Sequence, residues 1–219
     1  MRGCKQASES IKLGVVLAVA GGFMDAYSYI CRGQVFANAQ TGNMLLLGIN
    51  IAERNWKNAC YYLCPVLAFT LGIMLADFIR MRAKDGTWFH WRQIAIFFEA
   101  LVLAGVCFIP QRMNLLANSL ISFGCGIQVE SFRKIYGNAI ATTMCIGNLR
   151  SATQHFCDFI GKKKKESIKK CLLYLGIIFA FIVGAIIGNI AIEKLHEMAL
   201  LMCSFFLLIG FLMMFMKNE

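Results

Sequence analysis

Six apolar stretches of roughly membrane-crossing length fill most of this chain and leave it no room for a soluble core. They cover residues 11–30, 60–79, 91–109, 115–129, 168–192 and 198–216. About 20 apolar residues in a helix cross a hydrocarbon layer, and several of these stretches approach that length. The polar runs between them, near 80–92 and 161–170, are only loop-sized. With 58% hydrophobic residues in 219, the chain reads as an all-α polytopic membrane protein forming one integral membrane domain. Its net charge of +10 then belongs to loop lysines and arginines facing anionic lipid, not to a nucleic-acid interface.

Charge and cysteine patterns exclude further classes. Arg2 and Lys5 precede the first apolar stretch and Lys12 stands at its start, but that stretch carries Asp25 and lacks a small-x-small cleavage site, so it reads as a retained span. The ten cysteines are scattered through apolar segments, with no C-x-x-C and no histidine cluster. Neither a metal site nor a disulfide framework is expected, and no cofactor. Nucleophile-elbow, zincin, dinucleotide and P-loop patterns are absent, and His90, His155 and His196 fall near span boundaries. The chain is not expected to be an enzyme.

The sequence resembles itself in two places. "QTGNM" (40–44) aligns with "CIGNL" (145–149), and "AFTLGIMLAD" (68–77) with "AFIVGAIIGN" (180–189). These matches divide the chain into two membrane repeats, residues 1–110 and 111–219. If both Gly-Asn segments cross, there are eight spans, and lysine plus arginine divide 14 inside and 8 outside. If both dip in and return, six full spans remain, and the division becomes 17 inside and 5 outside. The positive-inside bias favours the second arrangement, with both termini cytoplasmic. Three spans per half is odd, so the two repeats are expected to be inverted.

Broken backbone inside a bilayer persists only where it is buried in protein or lines a wet cavity. Asn38, Gln40, Thr41, Gly42 and Asn43 in the first half, with Asn138, Thr142, Thr143, Gly147 and Asn148 in the second, supply breaks and partners for it. They read either as helix glue or as the lining of a path. Two short helices meeting at the midplane by their N-terminal ends would favour an anion or a polar solute. Asp25, well inside the first span, and Glu130, before the second Gly-Asn segment, are the ionisable candidates for the path. Asp77 and Glu99 are placed nearer helix ends. Gly72-x-x-x-Ala76 and Gly184-x-x-x-Gly188 read as small-residue packing seams, which also suggest a homodimer. Lys162–Lys165 with Lys169 and Lys170 reads as a topology anchor.

Gly22, Asp25 and Ala26, followed by Phe36, Asn38, Thr41, Gly42 and Asn43, carry a resemblance to the YoaK family of bacterial multi-pass membrane proteins, a domain of unknown function. There a G-x-x-D-A precedes F-x-x-N-x-T-G-N. In the second half Gly126 and Gln128 match a G-x-Q, and Thr142, Thr143 and Gly147 sit near a further threonine–glycine motif. Ile146 and Val129-Glu130 depart from the pattern. The resemblance implies a bacterial cytoplasmic membrane location and no particular substrate. The expected function is therefore a small-solute or ion transporter or channel in the lipid bilayer, with Asp25, Gln128 and the Gly-Asn segments on its path. The alternative is a non-catalytic scaffold or sensor subunit.

Overall fold

In the computed structural model, residues 10–82 and 91–215 are described. They form eight α-helices: α1 (Ile11–Cys31), α2 (Gln40–Ala52), α3 (Trp56–Arg82), α4 (Trp91–Val106), α5 (Asn114–Ser131), α6 (Cys145–Lys162), α7 (Lys165–Leu195) and α8 (Leu200–Met213). A minimal antiparallel hairpin, β1 (Lys134–Ile135) with β2 (Asn138–Ala139), joins α5 to α6. Helix α1 starts at Ser10, whose hydroxyl accepts the Leu13 N–H at 3.2 Å. The chain turns away after it at Gly33 (φ 84°) and Gln34 (φ 60°), a left-handed pair that glycine enters without steric cost.

Helix α2 is inside out by the standards of a water-soluble helix. Its buried residues are Gln40, Asn43 and Asn50, while Met44, Leu45, Ile49 and Ile51 are exposed. Helix α6 buries Asn148 and Ala152 and exposes Ile146, Leu149, Phe156 and Ile160. In water the apolar face would turn inward. Surrounded by hydrocarbon, polar groups need internal partners, and apolar side chains lose nothing by facing out. Among the described residues, three helical stretches are long and apolar enough to cross a membrane: Ile11–Cys31, Trp56–Arg82 and Lys165–Met213, the last containing both α7 and α8.

The tightest packing is α1 against α7 and α3 against α5. Helix α2 lies along α3 and α6 along α7, while α4 packs on α8 and α5, and α8 on α1. Glycines set the two main crossings. A Cβ on Gly22 would run into the Phe181 carbonyl, and one on Gly184 into the Val19 carbonyl. A Cβ on Gly72 would meet the Phe123 carbonyl, and one on Gly126 the Phe69 carbonyl. Each glycine lets the facing backbone into the space a side chain would fill. The two small-residue seams are thus buried within the chain, with Ala76 1% exposed, and they offer no surface for the expected homodimer.

Helix ends gather at two places. At one, the Arg32 carbonyl just past α1 accepts from Tyr61 Oη near the start of α3 (3.3 Å) and from Asn118 Nδ2 near the start of α5 (2.7 Å). Arg32 itself is fully buried, although its position in a short connection marks it as a solvated loop charge. Its guanidinium donates to the Val106 and Ile109 carbonyls at the end of α4 (3.1 and 2.8 Å) and to Asn114 Oδ1 (3.2 Å). It also donates to Tyr27 Oη at 2.9 and 3.1 Å, and Tyr27 in turn donates to the Glu197 carbonyl between α7 and α8. The fork of donors therefore satisfies carbonyls that the end of α4 leaves free. At the other end, Glu130 of α5 lies 3.9 Å from Arg80 of α3 and 3.4 Å from Arg133, and Asp77 pairs with Arg80. Ile135 covers Gly14 there, and Tyr174 Oη donates to the Ala139 carbonyl (3.2 Å). The end of α1 and the start of α3 thus share one end of the bundle, so the chain between them goes in and comes back.

Candidate functional site

Two connections leave opposite ends of the bundle and reach the middle of α1. The segment after α1 brings Asn38 back to Gly21, whose carbonyl accepts from Asn38 Nδ2 at 3.2 Å. Gly21 lies about 15 Å from either end of the helix at the usual rise of 1.5 Å per residue. The segment before α6 brings Thr143 to the same glycine, where a Cβ would lie 2.7 Å from the threonine methyl. Asn38 and Thr143 are each 4% exposed, and Asn38 Oδ1 and Thr143 Oγ1 have no hydrogen-bond partner among the described residues. Orphaned polar atoms in a hydrocarbon-surrounded interior are costly.

Around this point the first segment is pinned through its own backbone. Asp25 Oδ1 accepts the Asn38 N–H at 2.7 Å. Gln40 Nε2 donates to the Ala37 carbonyl (2.8 Å) and to Ser122 Oγ of α5 (3.3 Å). Asn43 Nδ2 donates to the Phe36 carbonyl (2.7 Å) and to Gln40 Oε1 (2.8 Å), while its Oδ1 accepts the Phe36 N–H (3.0 Å). In the second segment Asn148 Nδ2 donates to the Ala141 carbonyl at 2.6 Å. The N-terminal end of α2, expected to favour an anion or a polar solute, therefore has the protein's own Asp25 carboxylate beside it.

The second segment is tied to α4 through Gln128. Glu99 is 0% exposed, and Gln128 lies between it and Thr142. Its amide is fully paired in one sense. With nitrogen toward the threonine, its oxygen would face only acceptor oxygens. With nitrogen toward the glutamate, it donates to Glu99 Oε1 and Oε2 (3.1 and 3.2 Å), and its oxygen accepts from Thr142 Oγ1.

Of the residues singled out in the sequence, the fold gathers Asp25, Asn38, Gln40, Asn43, Gln128, Thr142, Thr143 and Asn148 in the interior. It separates the others. Thr41 and Gly147 are exposed, with nothing within 4 Å of a Cβ on Gly147. Gly42 lies under the Phe36 ring, Asn138 donates to the nearby Tyr136 carbonyl, and Glu130 belongs to the charged cluster at the bundle end. Glu99, read as an end residue, sits instead in the middle of α4. The signal was available, since residue 99 is near the centre of the stretch 91–109. The basic run 162–165, read as a topology anchor, lies where α6 gives way to α7.

Buried amides, carboxyls and a guanidinium inside a shell of exposed leucine, isoleucine and phenylalanine define a polytopic α-helical membrane protein. Residues 13–213 match the family model described as "Protein of unknown function (DUF1275)", and the chain belongs to that family. It is similar to the UPF0700 transmembrane protein YoaK of Bacillus subtilis (strain 168), 27% identical over 185 residues, which cover 80% of this chain and 81% of that protein. No solved structure matches.

Proposed function

We propose that this protein is a small-solute or ion transporter or channel of a bacterial cytoplasmic membrane, built from two inverted repeats, residues 1–110 and 111–219. Six helices cross fully in this reading, both termini are cytoplasmic, and α2 and α6 are the outgoing arms of re-entrant segments. The termini themselves lie outside the described residues. Reciprocal packing supports the inversion: α1 on α7 answers α3 on α5, and Gly22 with Gly184 answers Gly126 with Gly72. Inverted repeats with broken segments at the midplane are a recurrent transporter design.

The observation that carries the reading is the meeting of Asn38 and Thr143 at Gly21, with one unpartnered buried oxygen on each. A passing polar solute or ion would find there an amide oxygen and a hydroxyl, with Asp25 alongside. Liposomes holding the purified protein provide the test. After an osmotic step with glycerol, urea or potassium chloride, stopped-flow light scattering should report entry of at least one solute above empty vesicles. Asn38→Leu and Asp25→Asn should reduce that entry in protein that remains folded. Rates equal to empty vesicles for all three would instead support the scaffold reading, which the internally satisfied amides of Asn43 and Gln40 also suit.

A further inference from the structure

We propose that the cleft between α3 and α4 holds an acyl chain of an anionic phospholipid, whose phosphate meets the arginines at the cleft's mouth. Helices α3 and α4 each pack on α5 and scarcely touch one another. The space left between them is a groove of about 210 Å³. Leu75 and Ile79 of α3 form one wall, Trp91, Ala95 and Phe98 of α4 form the other, and Ile127 of α5 closes it from behind. From Trp91 to Phe98 the groove follows α4 for about 10 Å at the usual helical rise. Its lining is hydrocarbon and aromatic ring. Leu75, Ile79 and Phe98 remain 39%, 39% and 42% exposed, so the groove opens onto the outside of the bundle. Water finds no partner in such a place, and in a bilayer an acyl chain is what fills it.

Charge at the mouth selects the head group. Arg80 and Arg82 follow Ile79 on α3, and Arg92 follows Trp91 on α4, so all three stand at the same end of the groove. Arg80 pairs with Asp77 and lies 3.9 Å from Glu130, which Arg133 approaches to 3.4 Å. The Arg82 guanidinium sits 3.7 Å from the centre of the Phe78 ring and is in no ion pair among the described residues. Arg92 lies 5.6 Å from the centre of the Trp91 ring. Four arginines thus meet two carboxylates, and the surplus at this end is positive. A guanidinium recognises phosphate through paired charge-assisted donors, and basic pockets between membrane helices hold anionic head groups. Trp91, at the first turn of α4, is the residue type that marks head-group depth. A second copy of this chain, itself carrying a net +10, would add to the surplus instead of neutralising it.

This lipid site is independent of the transport reading and is tested without any flux. The chain has tryptophan at positions 56, 88 and 91. Trp56→Phe with Trp88→Phe therefore leaves Trp91 as the reporter in the groove. That full-length variant is placed in phosphatidylcholine vesicles with a fixed share of either phosphatidylglycerol or phosphatidylcholine carrying dibrominated acyl chains, which quench tryptophan on contact. Trp91 should be quenched several-fold more strongly by the brominated phosphatidylglycerol. Arg82→Gln should cut that preference by up to about fivefold, and Arg82→Gln with Arg92→Gln should abolish it. Ala95→Phe, which fills the groove, should weaken quenching by both lipids. Equal quenching by the two lipids, or a preference kept after loss of both arginines, overturns the site. So does a Trp91 shielded from both lipids at high protein density and freed on dilution into lipid, since a second copy would then cover the groove. Should the arginine variants fail to fold, native mass spectrometry of the wild type decides. Phosphatidylglycerol should stay bound under activation that strips phosphatidylcholine, and equal retention overturns the site.

Discussion

Asn43 and Asn148 make the same move in two separate stretches of chain. Each turns its side-chain nitrogen back onto the carbonyl seven residues earlier, Phe36 at 2.7 Å and Ala141 at 2.6 Å. In each case a helix begins by clipping the irregular backbone that leads into it. Asn43 adds a second bond by accepting the Phe36 N–H and a third by donating to Gln40.

Removing either clip should loosen the segment it holds. Asn43→Ala leaves both backbone groups of Phe36 without the partner they now have, and each stranded buried group costs about 1–3 kcal/mol. Asn148→Ala strands one carbonyl and should cost less. Thermal unfolding in detergent or nanodiscs checks the order. Equal, near-zero effects would show that the clips hold nothing.

The glycine crossings predict a sharp contrast within one residue type. Gly22→Ala, Gly184→Ala, Gly72→Ala and Gly126→Ala each push a methyl into facing backbone, and overpacking of this kind costs about 1–3 kcal/mol. Gly48, Gly105 and Gly176 lie within helices and have nothing within 4 Å of an added Cβ. Alanine there should be neutral or stabilising by up to about 1 kcal/mol. Melting temperatures of the seven variants give the comparison directly.

Arg32→Lys tests whether shape or charge matters at the buried guanidinium. Lysine keeps the charge but lacks the planar fork that reaches Tyr27, Val106, Ile109 and Asn114 at once. The expected loss is about 2 kcal/mol or more, because hydrogen bonds to charged groups are worth roughly 1.5–3 kcal/mol. Stability unchanged from wild type would mean that the four partners are satisfied by something else.

Reporter fusions truncated after Arg54 and after Lys84 address topology. The proposed arrangement requires the Arg54 fusion to report outside and the Lys84 fusion inside. The reverse pattern would mean that α2 crosses completely and that the repeats are parallel.

Much of this architecture was legible in the sequence, for reasons of solvent. Apolar length announces membrane helices without any tertiary information. Of the residues in those matches, Asn43 and Asn148 each donate to a carbonyl seven residues earlier, and Gly72 and Gly184 each face a backbone carbonyl, whereas Gly42 lies under Phe36 and Gly147 is open. Side-chain direction was less legible. Thr41 lies between Gln40 and Gly42 in the motif yet faces outward, because on a helix neighbouring positions are about 100° apart. Arg32 was not legible at all, because a single charge in a short connection looks the same whether water or four helix ends surround it. The burial of Glu99 was not legible because Gln128 reaches it only through packing.

The interleaving of helices has a consequence for how the chain matures. Helix α1 finds its main neighbour in α7, and Gln40 finds Ser122 only when α5 has been made. An N-terminal fragment ending after α3 therefore holds amides and glycine grooves with nothing to meet them. Biogenesis must keep this first half waiting in the membrane until the late helices arrive. A defect in α7 would thus send the earliest-made helix to degradation, even with its own residues intact.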